Sequence, residues 1–173
     1  MPELPEVETV RKGLERLLNN FYIKRIEVLK ERSIASIGGS TNFINNIKNS
    51  YFGNWERRGK YLIGALHTKE KSNKGFLVVH LRMTGQFKLL EKEISPCTHT
   101  RVRFFEDRGR ELRFIDIRNF GQMWHVPSSK SVSEIVSGIK RLGPEPFSTA
   151  FNSCYLEKYL KKKKRSIKSA LLD

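Results

Sequence analysis

The sequence predicts a mainly β domain with flanking helices: a two-layer β-sandwich or flattened barrel with one helix at its N-terminal end. Three observations predict it. Many short runs alternate apolar and polar residues between turn signals, the pattern of strands that bury one face. Glu106-Asp107-Arg108-Gly109 lies between two such runs and reads as a hairpin turn. The opening segment instead carries its apolar residues at helical spacing.

The N-terminal helix is expected over residues 5–18. Pro5 suits a first helical turn, Glu6 and Glu8 lie at the positive end of the helix dipole, and Arg11, Lys12 and Arg16 lie toward the negative end. Val7, Val10, Leu14, Leu17 and Leu18 form one apolar face, and Asn19-Asn20 is the stop. A strand is expected over 21–29, with one phase slip that a bulge accommodates. Gly38-Gly39 turns the chain into a short helix around Phe43, Ile44 and Ile47. Further strands are expected at 61–66, 76–81, 86–90, 102–105, 111–115 and 121–126. After Leu142-Gly143-Pro144-Glu145-Pro146 the character changes. Ser148 is expected to cap a helix bearing Phe151, Tyr155, Leu156, Tyr159 and Leu160, which runs into Lys161-Lys162-Lys163-Lys164-Arg165. Ser166 is expected to cap one more helix. The domain reading is therefore 1–147 for the sandwich and 148–173 for a helical linker region.

The 173 residues suffice for one domain with a real core. A net charge of +15 exceeds what solubility needs and favours a polyanionic partner, nucleic acid before membrane. A basic soluble or ribosome-associated protein fits the charge about as well. No apolar run is long enough to span a bilayer, and an acidic start with two prolines is unlike a signal peptide, so a cytoplasmic monomer is expected. Cys97 and Cys154 alone cannot build a four-thiolate zinc site.

The chemistry-bearing candidates begin with Met1-Pro2-Glu3-Leu4-Pro5-Glu6-Val7-Glu8-Thr9-Val10. Once Met1 is removed, Pro2 is a secondary amine that is partly unprotonated at neutral pH. Its attack on a sugar C1′ gives an iminium, cationic without protonation, which labilises the C2′ proton for elimination of the 3′ phosphate. Glu3 can protonate the ring oxygen. From the residues alone, a plain helix-initiating start reads as well. Lys60 precedes an apolar run that can hold it rigidly for phosphate binding or proton transfer; the alternative is an ordinary surface lysine. Met83 and Phe120 each lie close to a glycine in a polar turn, where an exposed apolar tip can fill the gap left by an extruded base; the alternative is core packing. Arg118 can donate to an unpaired base or pair with Asp116. His80 and His99 can contact phosphate or be ordinary polar residues.

These blocks, with Arg57-Arg58-Gly59-Lys60-Tyr61-Leu62, His80-Leu81-Arg82-Met83-Thr84-Gly85, His99-Thr100-Arg101-Val102, Asp116-Ile117-Arg118-Asn119-Phe120-Gly121 and Ile167-Lys168-Ser169-Ala170-Leu171-Leu172-Asp173, resemble the formamidopyrimidine-DNA glycosylases in order and approximate spacing. The resemblance covers the whole chain. It implies a bifunctional glycosylase and abasic-site lyase acting on oxidised purines in double-stranded DNA. It implies Pro2, Glu3 and Lys60 as catalytic residues. Met83, Arg118 and Phe120 are implied to enter the duplex, and His80, His99, Lys163 and Lys168 to contact DNA. The family continues with a helix–two-turn–helix element and a four-cysteine zinc finger that are not in this sequence. No cofactor is therefore expected here, and the chain reads as truncated. A DNA-binding relative with impaired turnover is the alternative.

Overall fold

The structure, a computed structural model, describes residues 2–161 and 163–171. The chain divides into two compact units, residues 1–140 and 141–173. In the first unit, helix α1 (Leu4–Leu17) is followed by β1 (Tyr22–Val28), a 3-10 turn (Glu31–Ser33), α2 (Gly39–Ile47), β2 (Ser50–Arg58), β3 (Tyr61–His67), β4 (Asn73–His80), β5 (Gly85–Leu90), β6 (Thr100–Glu106), β7 (Glu111–Asp116) and β8 (Gln122–Val126). Two one-turn helices, α3 (Val132–Ile135) and α4 (Ser137–Lys140), close it.

The strands form one antiparallel sheet in the order β5-β7-β6-β1-β2-β3-β4-β8. β1 and β2 pair only at Tyr22–Tyr51 and Ile23–Ser50, so the sheet has a narrow joint at its middle. The halves on either side share one core. Phe104 of β6 meets Phe52 of β2 edge-on at 6.0 Å and Phe43 of α2 at 6.4 Å. Val102, Leu112 and Phe114 from one half and Leu62, Leu66, Leu77, Val79 and Met123 from the other are buried in the same cluster. This is the mainly β, two-layer arrangement that the sequence predicts, with both layers cut from a single sheet.

Each expected strand is present. The slip in the first one is a register shift between Ile23 and Arg25. β2 was not legible, because a second shift between Phe52 and Trp55 buries two aromatics three residues apart and breaks the alternation. α1 buries Val7 and Leu14 and begins with a capping box between Glu3 and Glu6.

In the second unit, α5 (Ser153–Leu160) is capped by Asn152, whose side chain accepts from the Tyr155 N–H at 3.0 Å. The cap is therefore not Ser148: that hydroxyl donates back to the Glu145 carbonyl at 2.8 Å within the preceding turn. α6 (Ile167–Leu171) follows Ser166, whose hydroxyl accepts from the Ser169 N–H at 3.4 Å. The units divide at residue 140, whereas the sequence reading divides the chain after 147. A Cβ on Gly143 would lie 3.2 Å from the Tyr155 hydroxyl, so the proline-rich turn lies alongside α5.

Candidate functional site

Pro2 and Glu3 stand immediately before α1, with Pro2 half-buried and Glu3 exposed. Three polar contacts fasten this helix to β2. The Arg11 guanidinium donates to the Trp55 carbonyl at 2.9 Å, the Trp55 N–H donates to Glu15 at 2.6 Å, and Arg57 Nε donates to Glu8 at 3.1 Å. Arg57 also donates to the Gly59 carbonyl at 3.0 Å. Burial would raise the Glu8 carboxyl, but the guanidiniums of Arg11 and Arg57 outweigh it and hold the group below its ordinary value. The Glu8–Arg57 pair thus ties the helix that starts at Pro2 to the hairpin that carries Lys60.

Lys60 occupies the tip of that β2–β3 hairpin. Gly59 precedes it with φ +55°, a left-handed conformation that costs glycine little and lets two residues turn the chain. Lys60 lines a cleft of about 530 Å³ together with Arg32, His80, Arg82, Met83, Phe120 and Gln122. The side chains come from the 3-10 turn, the β2–β3 tip, the end of β4 with its loop, and the loop into β8. Besides Lys60 itself, three of them are cationic or imidazole groups, Arg32, Arg82 and His80, which suits an anion.

His80 is held by its neighbours. Its Nδ1 accepts the Arg82 N–H at 3.0 Å, and its ring packs edge-on against Tyr61 at 4.5 Å. Burial first, then the charges of Arg82 and Lys60, depress its pKa to about 4. It is neutral at pH 7, and with Nδ1 occupied as an acceptor its Nε2–H remains as a donor.

Met83 and Phe120 are both exposed, at 38%, so neither is a core residue. Phe120 lies between two guanidiniums, 5.4 Å from Arg32 and 5.1 Å from Arg118. Arg118 is exposed and does not pair with Asp116. The Asp116 carboxylate is buried and accepts from the Thr84 hydroxyl and, at 2.7 Å, from the Gly121 N–H. His99 is exposed on the loop before β6, and its carbonyl accepts the Asp116 N–H at 2.9 Å. Buried Arg101 donates to the carbonyls of Asp116 at 2.7 Å and Thr98 at 3.1 Å, which joins the His99 loop to the start of the Arg118 loop.

The cleft therefore brings together Lys60, His80, Met83 and Phe120. Pro2, Glu3, His99 and Arg118 are not among its lining residues. Lys163 and Lys168 belong to the second unit, where the Lys163 ammonium lies 4.7 Å over the Tyr159 ring. Met1 lies outside the described residues. Sequence reasoning missed Arg32, Arg82 and Gln122. Arg82 lies within His80-Leu81-Arg82-Met83-Thr84-Gly85, but Arg32 carries no local signal beyond its charge. Among the described residues no three His, Cys, Asp or Glu side chains gather to bind a metal ion, and Cys97 and Cys154 are separately exposed, so a zinc site does not fit these residues. No described helix is long and apolar enough to cross a membrane.

The domain is thus a two-layer β fold with a basic cleft rimmed by the exposed apolar tips Met83 and Phe120. Comparison with known proteins narrows it. Residues 1–123 match the formamidopyrimidine-DNA glycosylase N-terminal domain family. The formamidopyrimidine-DNA glycosylase of Prochlorococcus marinus strain NATL1A is 86% identical over all 173 residues, and the chain spans 61% of its length. The Lactococcus lactis formamidopyrimidine-DNA glycosylase, solved bound non-covalently to DNA containing an abasic site, superposes with a TM-score of 0.84 at 28% identity, covering 99% of this chain and 62% of that one. MutM, solved with DNA containing a carbocyclic 8-oxoguanine, superposes with a TM-score of 0.84 at 29% identity, covering 99% of this chain and 60% of that one. The chain belongs to the formamidopyrimidine-DNA glycosylase family and comprises its N-terminal domain.

Proposed function

We propose that the protein takes part in base-excision repair, as a glycosylase and abasic-site lyase that acts on oxidised purines in double-stranded DNA. The observation that carries this reading is the cleft, which gathers Lys60, His80, Met83 and Phe120 from three separate segments. A cation and a neutral imidazole donor suit a phosphate, and two exposed apolar tips suit the space that an extruded base vacates.

In the proposed reaction the unprotonated Pro2 nitrogen, freed of Met1, attacks C1′ of the damaged nucleotide. The glycosidic bond breaks and the base leaves with a proton. Glu3 protonates the ring oxygen, the C1′–O4′ bond opens, and an iminium links Pro2 to C1′. Loss of the C2′ proton expels the 3′ phosphate, and water later hydrolyses the iminium to free the amine. Lys60 binds phosphate or carries a proton beside the sugar. Met83, Arg118 and Phe120 fill the duplex, while His80, His99, Lys163 and Lys168 hold the backbone. The nucleophile and acid are the chain's own, so these steps call for no cofactor. With damaged DNA as its partner, the protein is proposed to act at the nucleoid, in the bacterial cytoplasm.

Borohydride reduction of the iminium tests this reading. A duplex with an abasic site should yield a covalent protein–DNA adduct with the wild type, none with Pro2→Gly, and less with Glu3→Gln. An adduct that persists undiminished in Pro2→Gly, or on chains shown by intact mass to retain Met1, refutes the proline mechanism.

A further inference from the structure

We propose that Thr84 and Asp116 are positioning residues that lock the Met83 loop and the Arg118–Phe120 loop into one rigid wedge. The inference rests on the reading that these loops meet DNA. Both loops are crossovers between the two halves of the sheet: the chain passes from β4 to β5 through Met83, and returns from β7 to β8 through Phe120. Because β5 pairs with β7 and β4 with β8, the crossovers run side by side. Any slippage of one half against the other would shear the tips apart.

Two residues at the base prevent this. Gly85 stands opposite Asp116 in the β5–β7 register, which puts Thr84 next to the Asp116 side chain. One Asp116 carboxylate oxygen accepts the Thr84 hydroxyl, and the other accepts the Gly121 N–H at 2.7 Å, closing its own loop. The Thr84 hydroxyl then accepts the Arg118 N–H at 3.0 Å. The hydroxyl both donates and accepts, so its rotor has one satisfactory position. The carboxylate is fully buried, which strengthens each bond and makes any lost partner costly. Each crossover also contains a non-glycine residue in the left-handed region, Arg82 at φ +55° and Asn119 at φ +54°, conformations that persist when the surroundings over-determine them. Finally, the Phe114 ring lies beneath both loops: a Cβ on Gly85 would come within 2.9 Å of its Cζ, and one on Gly121 within 2.5 Å.

The test uses the full chain with Thr84→Val, which keeps the shape without the hydroxyl, and Thr84→Ser, which keeps the hydroxyl; Thr84→Ala replaces the valine variant if that does not fold. Amide hydrogen exchange at Arg118 and Gly121 and methyl relaxation of Met83 are measured in the free protein. Binding is then compared between an intact duplex and one with an abasic-site analogue opposite 2-aminopurine. Thr84→Val should speed exchange at Arg118 and Gly121 by about fivefold or more, the factor one net hydrogen bond gives, and mobilise the Met83 methyl. It should lower the preference for the abasic duplex by a similar factor, with the salt dependence of intact-duplex binding unchanged and with Thr84→Ser at wild-type values. Wild-type exchange in Thr84→Val overturns the lock whatever the DNA results. Accelerated exchange with undiminished preference overturns its role in positioning the wedge. A wild type that does not distinguish the duplexes refutes the DNA reading and the wedge with it, while the exchange data still decide the lock.

Discussion

Glu111 offers a demanding check on the energetics of this fold. It has no accessible surface, and it faces two guanidiniums: Arg103 donates at 2.8 and 2.9 Å and Arg113 at 2.6 and 2.9 Å. Both arginines also donate to the Ile94 carbonyl, at 2.7 and 2.8 Å, so the cluster pins the loop that leads to His99. Burial alone would raise the Glu111 carboxyl, but the hydrogen bonds and charges of Arg103 and Arg113 outweigh it and hold the pKa at about 2 against an ordinary 4.5. A pKa depressed in the folded state stabilises the fold fully above pH 4.5, and that contribution is lost as pH falls toward 2. At ~1.4 kcal/mol per unit the contribution is about 3 kcal/mol, the lower end of the range for breaking a buried ion pair. Glu111→Gln keeps the shape and one acceptor oxygen, so it should lose about 3 kcal/mol at neutral pH. Urea unfolding measured from pH 7 downward should show the gap between wild type and variant narrowing below pH 4.5 as the wild type alone loses the Glu111 contribution. Equal stability at pH 7, or parallel profiles through the acid range, would refute the argument that the charge is what the arginines hold.

The pKa of His80, depressed to about 4, implies an imidazole that remains neutral from pH 7 to below 6, and NMR titration that finds it protonating near its ordinary 6.5 would contradict this. Its contribution to stability is complete above 6.5 and declines as pH falls toward 4, and Lys60→Met should raise the pKa only in part, because burial is the larger cause. Gly121→Ala should cost about 1–3 kcal/mol by overpacking against Phe114, and a loss below about 0.5 kcal/mol in chemical denaturation would mean that the ring yields freely. Duplex binding should weaken by roughly 10³-fold or more between low and moderate salt if about six phosphate contacts form, and a flat salt profile would speak against a phosphate-tracking cleft.

Much of this architecture is legible from local pattern. Strands that bury one face announce themselves by alternation, and the tip at Gly109 by its turn residues. β2 was hidden because its bulge shifts the phase between Phe52 and Trp55. At the site, Lys60, Met83 and Phe120 stand beside turns, where position along the chain already hints at exposure. Arg32 joins them only through tertiary packing, from a turn far away in sequence. Of the two readings open for Arg118, pairing with Asp116 is the one the structure does not show. Sequence proximity offered Arg118, but strand register delivers Thr84, thirty-two residues distant. Long-range pairings of this kind decide which polar atoms share a buried position, and no local period encodes them.

The narrow joint between β1 and β2 has a consequence for how the chain reaches this state. β2, β3 and β4 are joined by short connections and can pair as they leave the ribosome. The layer beside them cannot: β1 must wait for β6, with Ile26 meeting Phe104 across nearly eighty residues. Until that closure, the apolar face of the early meander, including Leu62, Leu66, Leu77 and Val79, has no Phe104 or Phe114 to cover it. Closing so long a loop is slow in entropic terms, and an open apolar sheet with free edges is prone to association meanwhile. The same joint that lets one sheet serve as both layers therefore makes β1–β6 docking the step at which crowding, heat or a weakened Phe104 should divert the nascent chain into aggregates.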